Sequence, residues 1–246
     1  SSLKFLPILV DQKLKAMKLK LILLSFAILF FNGVFGQKKT TTSKELSSSL
    51  LSGMKFRSVG PAFMSGRISD IAIHPSNENI WYVTVGSGGV WKTENAGTTW
   101  SSIFDKQTSY AIGCVTLDPS NPEIVWVGTG ENVGGRHIGF GDGIYRSEDG
   151  GNSWKNMGLV SSEHISKIVV HPTNSNIIWV AAQGPLWSSG GDRGVYKTTD
   201  GGKTWNKVLE TDEWTGATDL LIDPRNPNLL YAATWQRHRT VAAYMG

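Results

Sequence analysis

Cysteine is almost absent from these 246 residues, since Cys114 stands alone. No internal disulfide can form, which excludes the small secreted scaffolds held together by bridges. Long apolar runs are missing too: the uncharged stretch from Leu21 to Gly36 is 16 residues and contains Asn32, short of the roughly 20 that a spanning helix needs. Of the five histidines, His137 and His164 have no second ligand at metal-binding spacing, so no zinc site is expected. The net charge of +4 is confined to the N-terminus, where Lys4, Lys13, Lys15, Lys18 and Lys20 face only Asp11, and the rest holds 19 basic and 19 acidic residues. A general attraction to nucleic-acid phosphates therefore has no support there. No 3.6-residue apolar period appears after residue 36, which argues against a helical core.

What is present begins with an export signal. Met17-Lys18-Leu19-Lys20 is a basic start, Leu21 to Phe31 is an apolar run of eleven, and Val34-Phe35-Gly36 places small residues ahead of Gln37. The expected organisation is an upstream non-native segment over 1–16, a signal peptide over 17–36, a Lys/Thr/Ser-rich linker over 37–53 and a folded part over 54–246. No cysteine follows the cleavage point, so a lipoprotein anchor is not expected. The product is expected to be exported, whether periplasmic, cell-surface or secreted, with no stable membrane anchor in this fragment.

The folded part repeats itself. Ile68-Ser-Asp-Ile-Ala-Ile-His74-Pro75 is echoed from Ile112 to Pro119, from Ile165 to Pro172 and from Thr218 to Pro224, with spacings of 44, 53 and 52 residues. Periods of this size built from short β-branched and aromatic runs between Gly, Pro and Asn indicate the four-stranded blades of a β-propeller. The expectation is all-β: blades at about 63–105, 106–156 and 157–210, and an incomplete fourth over 211–246. Three and a half blades do not close a ring, so the chain reads as a fragment of a propeller of seven or more.

A second element recurs in register: Thr93-Glu-Asn95-Ala-Gly97-Thr-Thr-Trp100, Ser147-Glu-Asp149-Gly-Gly151-Asn-Ser-Trp154 and Thr198-Thr-Asp200-Gly-Gly202-Lys-Thr-Trp205. An Asp oxygen can accept turn amides, Gly adopts positive φ and Trp wedges between sheets. These are structural turns rather than catalytic or calcium sites. Asn95 keeps the acceptor and drops the charge. His74 and His171 share a repeat position with Asp118 and Asp223, which marks them as turn residues.

With these motifs, together with Phe56-Arg-Ser-Val-Gly60-Pro61, Ser65-Gly66-Arg67-Ile68 and Gly128-Thr129-Gly130-Glu131, the chain resembles the sortilin-type, Asp-box repeat propellers, in particular a secreted bacterial group often labelled glycosyl hydrolases. In xyloglucanase-type propellers, the resemblance implies a catalytic Asp just before the Gly-Gly pair of the first blade. Here that stretch is Val85-Gly86-Ser87-Gly88-Gly89 and holds no carboxylate. The sialidase opening, Arg followed by Ile-Pro, is missing too.

Strand alternation puts the Asp boxes on one face of the disc and the loops after second and fourth strands on the other. The insertions Gly130 to Gly143 and Gln183 to Arg193 fall on that second face, where binding loops on a rigid scaffold usually lie. Arg67, Tyr110 and His164 are expected near the axis, with Glu131, Arg136, His137, Asp142, Trp187 and Arg193 farther out. Trp187 and Trp235 suit either sugar stacking or packing. Glu131, Asp142, Glu163, Asp192 and Asp212 are available carboxylates, but nothing pairs them as glycoside hydrolysis requires. The expectation is a secreted non-catalytic module that binds a peptide, protein or glycan through the loop face opposite the Asp boxes, without a cofactor; the alternative is a sialidase-like or xyloglucanase-like glycoside hydrolase with catalytic residues partly in the missing chain.

Overall fold

The computed structural model describes residues 66–245, together with Lys15, Lys18, Lys20 and Gly53. The chain divides into two compact units, Ser1–Gly60 and Pro61–Gly246. In the first, Lys15, Lys18 and Lys20 are helical and exposed, and the expected signal cleavage site and the segment opening at Phe56 lie outside the described residues. Among the described residues no helix is long and apolar enough to cross a membrane.

The second unit is a run of antiparallel sheets, each wound in sequence order. The first holds β1 (Ile68–Ile73), β2 (Trp81–Val85), β3 (Gly89–Thr93) and β4 (Ser101–Ser102). The second holds β5 (Ile112–Leu117), β6 (Val125–Thr129), β7 (Ile144–Ser147) and β8 (Lys155–Asn156). The third holds β9 (Ile165–His171), β10 (Asn174–Ala182), β11 (Gly194–Thr198) and β12 (Asn206–Leu209). A long hairpin of β13 (Thr215–Asp223) and β14 (Asn226–Gln236) begins a fourth, and a short hairpin of β15 (His238–Arg239) and β16 (Tyr244–Met245) follows. First strands meet first strands, β1 against β5, β5 against β9 and β9 against β13. That is the inner rim of a propeller: three complete four-stranded blades and part of a fourth.

Each core lies between blades, because a four-stranded sheet has two faces to cover. Period-2 alternation splits one strand between two cores. In β6, Val125 and Val127 join Tyr82, Val90 and Phe104 of the first blade, while Trp126 joins Ile165, Ile168 and Ile178 of the third. A smaller core ties Trp179 and Val195 to Ala217 and Leu220. Cys114 is buried in the second interface, and burial pushes its thiol up to about 12.

Side chains also cross the interfaces. Near the axis Asp70 Oδ2 accepts from Val115 N (3.2 Å), Thr116 Oγ1 donates to Ile168 O (2.9 Å) and Ser166 Oγ donates to Ala217 O (2.9 Å). At the outer rim Trp154 Nε1 donates to Ile103 O (2.9 Å) and Trp205 Nε1 to Met157 O (2.7 Å), each reaching the preceding blade. Trp100 instead meets Trp81 edge to face, with centroids 6.3 Å apart, and is 39% exposed.

The Asp boxes repeat in atomic detail. Ser147 Oγ donates to Asp149 Oδ1 and accepts from Gly151 N, while Ser153 N and Oγ donate to Asp149 Oδ1 and Oδ2 at 2.8 and 2.6 Å. Thr198, Asp200, Gly202 and Thr204 reproduce this set. In the first blade Thr99 N still donates to Asn95 Oδ1 (2.8 Å), but Asn95 Nδ2 donates to Thr99 Oγ1 (2.8 Å), reversing one bond without losing it. The Ser153 and Ser147 hydroxyls and nearby amides hold the exposed Asp149 carboxyl down at about 2. The turn after each first strand is equally conserved in geometry. His74 Nδ1 and His171 Nδ1 accept from the amide two residues on at 3.2 Å, as Asp118 and Asp223 do at 2.8 Å.

Candidate functional site

Each of the first three inner strands and β13 is interrupted at one repeat position. The ladder skips between Ile68 and Asp70, between Ile112 and Cys114, at Ser166 beside the Ala181/Ala182 step, and between Ala217 and Asp219. Such bulges bend a strand and release a residue from the ladder. The released residues, Ser69, Gly113, Ser166 and Thr218, are all small, and all line one cleft of about 390 Å³ at the inner rim. Arg67, Asp70, Glu131, Lys167 and Asp219 supply its charge.

Glu131 defines one wall. It was expected away from the axis, but the insertion after β6 folds back and carries it to Arg67, which stands just ahead of β1. The Arg67 guanidinium binds Glu131 Oε1 through Nη2, and its Nη1 lies 3.1 Å from His137 Nε2. Because Arg has no lone pair to offer, His137 Nε2 is the acceptor. Gly139 N donates to Glu131 Oε2 (2.9 Å), and Glu131 N to Gly139 O (3.0 Å). The carboxylate, only 2% exposed, lies over Gly86 so closely that a β-carbon there would come 2.1 Å from Oε1. Residue 86 must therefore be glycine while Glu131 holds this position.

His164 stands behind this wall, 1% exposed. Burial first, and then the Arg237 guanidinium, hold its imidazole down at about 3, against a hydrogen bond with the Glu131 main chain that favours the charged form. The ring is neutral at ordinary pH. Arg237 and Arg239, two residues apart in β15 and its approach, donate through Nη1 to Val133 O (2.9 Å) and Gly134 O (3.0 Å), pinning the insertion between Glu131 and Gly139. Neither arginine belongs to a repeated motif. Their signal was the alternation Arg237-His238-Arg239 in an extended run.

Arg193 is 2% exposed, and all five of its N–H groups are taken by main-chain carbonyls: Gly190 from Nε, Gln183 and Trp214 from Nη1, Pro185 and Ser188 from Nη2. It shapes the loop after β10 and has no donor left for a ligand. That loop presents Trp187, 47% exposed. Tyr110 and Arg136 are exposed on the same loop face. Trp235 meets Tyr244 edge to face at 5.8 Å.

Asp142 and Asp212 serve local turns, and Asp192 accepts from Tyr196 Oη (3.4 Å). Asp142 accepts from Tyr145 Oη (2.7 Å) and from Thr108, and its amide donates to Thr129 Oγ1 (2.8 Å). Asp212 accepts from Trp214 N (2.8 Å) and Thr215 N (2.7 Å), which lowers its pKa. Burial raises that of Glu163, whose backbone sits at φ 60°.

The model of the sortilin family (Sortilin, neurotensin receptor 3) matches residues 142–245. A xyloglucanase of Hypocrea jecorina is 28% identical over 177 residues, 66% of this chain and 20% of its own length. A xyloglucanase of Acetivibrio thermocellus is 26% identical over 197 residues, 65% of this chain and 21% of its own. The chain thus spans about a fifth of the length of these curated relatives. Among solved structures, an ancestral GH74 enzyme superposes with TM-score 0.54 at 21% identity, covering 68% of this chain and 22% of that one. The GH74 enzyme of Niastella koreensis gives 0.52 at 23%, covering 66% and 24%. Likeness at this level establishes the propeller fold.

Proposed function

We propose that the protein carrying this chain is an exported glycosidase acting on a β-glucan polysaccharide of the xyloglucan class, with the inner-rim cleft holding the sugar chain. The observation that carries this is the alignment of four strand bulges around one polar cleft. Small residues at the bulges leave room, and hydroxyl, carboxylate and cationic groups together match a ligand dense in hydroxyls. The xyloglucanase relatives, aligned over two thirds of the chain, support the same substrate class. Hydrolysis needs two carboxyl groups flanking the scissile bond. Asp70, Glu131 and Asp219 line the cleft. Asp70 spends both oxygens on the amides of Ile71 and Val115, and Glu131 both of its own on Arg67 and Gly139, whereas Asp219 uses Oδ1 on Leu220 N. Asp219 is therefore the cleft carboxylate proposed for one of the two roles, the second carboxyl having to come from beyond the lining of this cleft, and Glu131 positions the wall.

A second reading is a propeller that binds glycan without cleaving it, favoured by the carboxylate-free stretch from Val85 to Gly89. Incubating the whole protein with xyloglucan separates the two. New reducing ends, lost by about a hundredfold or more in Asp219→Asn with binding retained, support the glycosidase. Binding without cleavage supports the second reading, and neither binding nor cleavage overturns both.

A further inference from the structure

A pocket of about 340 Å³ lies between the second blade and the Asp-box turn of the third, and it shares no lining residue with the inner-rim cleft. Three cationic side chains, Arg146, Lys155 and Lys203, line it with a single acidic one, Glu148. Trp154 and Met157, both half-buried, form its apolar part. Like charges brought to one concavity repel each other, so such a cluster calls for a use, either in the fold or in binding.

The repeat separates the two uses. Arg146 serves the fold: it faces Trp126 across the ladder with Cζ 5.4 Å from the ring, and Lys92 and Lys197 lie over Tyr82 and Trp179 at the same repeat position, 5.5 and 5.0 Å away. Its Nη1 pairs with Glu148 (3.0 Å) as Lys92 pairs with Glu94 (2.9 Å). The two lysines have no such role. Lys155 follows the box tryptophan where the other blades have Ser101 and Asn206, and Lys203 stands where they have Thr98 and Asn152. The first and second boxes close the same turn with those neutral residues. Both lysines are exposed, and among the described residues neither ammonium is in an ion pair. Arg146 Nε is buried without a partner, a donor whose desolvation nothing in the chain offsets. Asp149 and Asp200 do not line the pocket and spend both oxygens inside their own turns.

We propose that this pocket binds a dianionic tetrahedral oxyanion, a phosphate or sulfate group, either free or as an ester. Three cations against one carboxylate leave two positive charges in the lining, which match a dianion better than a single carboxylate. The guanidinium contributes a directed donor on a planar fork, and the two ammonium groups contribute compact charge. Nothing in this site depends on the glycosidase reading, because the two sites have no residue in common.

The test titrates the whole protein calorimetrically, at low salt, with sodium phosphate, sodium sulfate and glycerol 3-phosphate, against sodium chloride at equal ionic strength. Phosphate or sulfate should bind and should raise the melting temperature beyond the chloride control. Lys155→Ser with Lys203→Asn installs the residues of the neighbouring repeats, so the melting temperature in chloride should hold while oxyanion affinity falls by about tenfold or more. Glu148→Thr, the residue of the third blade, should tighten binding by about threefold or more, a gain that a purely structural role does not give. Binding of xyloglucan by the double variant should be unchanged. Glycerol 3-phosphate binding as tightly as phosphate assigns the pocket to an ester-bearing ligand, and its exclusion assigns it to the free ion. Wild-type binding of the oxyanions no stronger than that of chloride overturns the site, and so does a double variant that binds as wild type does. Should the double variant melt early in chloride, Lys203→Asn alone is read by the same rule.

Discussion

His164 shows what a single side chain contributes to the site. A buried imidazole held neutral at about 3, against an ordinary value near 6.5 in the unfolded chain, stabilises the fold fully above pH ~6.5. That contribution is lost as pH falls toward about 3, because the unfolded state takes up the proton first. Stability should drop by up to about 1.4 kcal/mol per pH unit across that window. Urea unfolding at a series of pH values checks this: His164→Gln should flatten the dependence, and an unchanged slope would contradict the assignment.

At the scale of the element, the Asp-box turns and their tryptophans differ in what they hold. Trp154 and Trp205 each bridge to a carbonyl of the preceding blade, whereas Trp100 contacts Trp81 of its own blade. Trp154→Ala or Trp205→Ala should cost about 3 kcal/mol, the low end for a large aromatic truncation because both rings are only partly buried. Trp100→Ala should cost clearly less, by chemical denaturation of the same protein. Asp149→Asn should be mild, as the reversed bond at Asn95 shows the turn closing without a carboxylate. These turns were legible in the sequence because each of their groups acts within about eight residues and the pattern occurs three times. The four-stranded blades were legible for the same reason. The pairing of Arg67 with Glu131 was not: it spans 64 residues and depends on how the insertion after β6 folds back. The bulges were hidden as well, since Ser69, Gly113, Ser166 and Thr218, each six residues ahead of the proline of its repeat, read as ordinary alternation. Arg193 looked like a surface cation because sequence alone does not reveal five converging carbonyls.

Across the whole molecule, burial is uneven. The second and third blades are covered on both faces, but β1 exposes Ile68, Ile71 and Ile73, and the last hairpins expose Leu221, Tyr231 and Trp235. Two apolar sheet faces of this kind invite pairing with any similar face. The isolated 66–245 unit is therefore expected to associate in sedimentation experiments, and Ile71→Lys with Leu221→Lys should shift it toward monomer. A wild-type unit that stays monomeric at high concentration would contradict this.

The tethers between blades have a direction. Asp70, Thr116 and Ser166 reach forward along the chain at the inner rim, and Trp154 and Trp205 reach backward at the outer rim, each to a neighbour in sequence, while Arg237 and Arg239 reach past the third blade to the insertion of the second. Pulled from its C-terminal end, such a molecule must first part the Arg237 and Arg239 bonds to Val133 and Gly134, after which only neighbour-to-neighbour clasps remain. It should come apart like links released one at a time, each step paying out a blade of about 50 residues, on the order of 170 Å of contour. Emerging from a ribosome, the same clasps would close in the opposite order, each finished blade serving as the mould on which the next one sets.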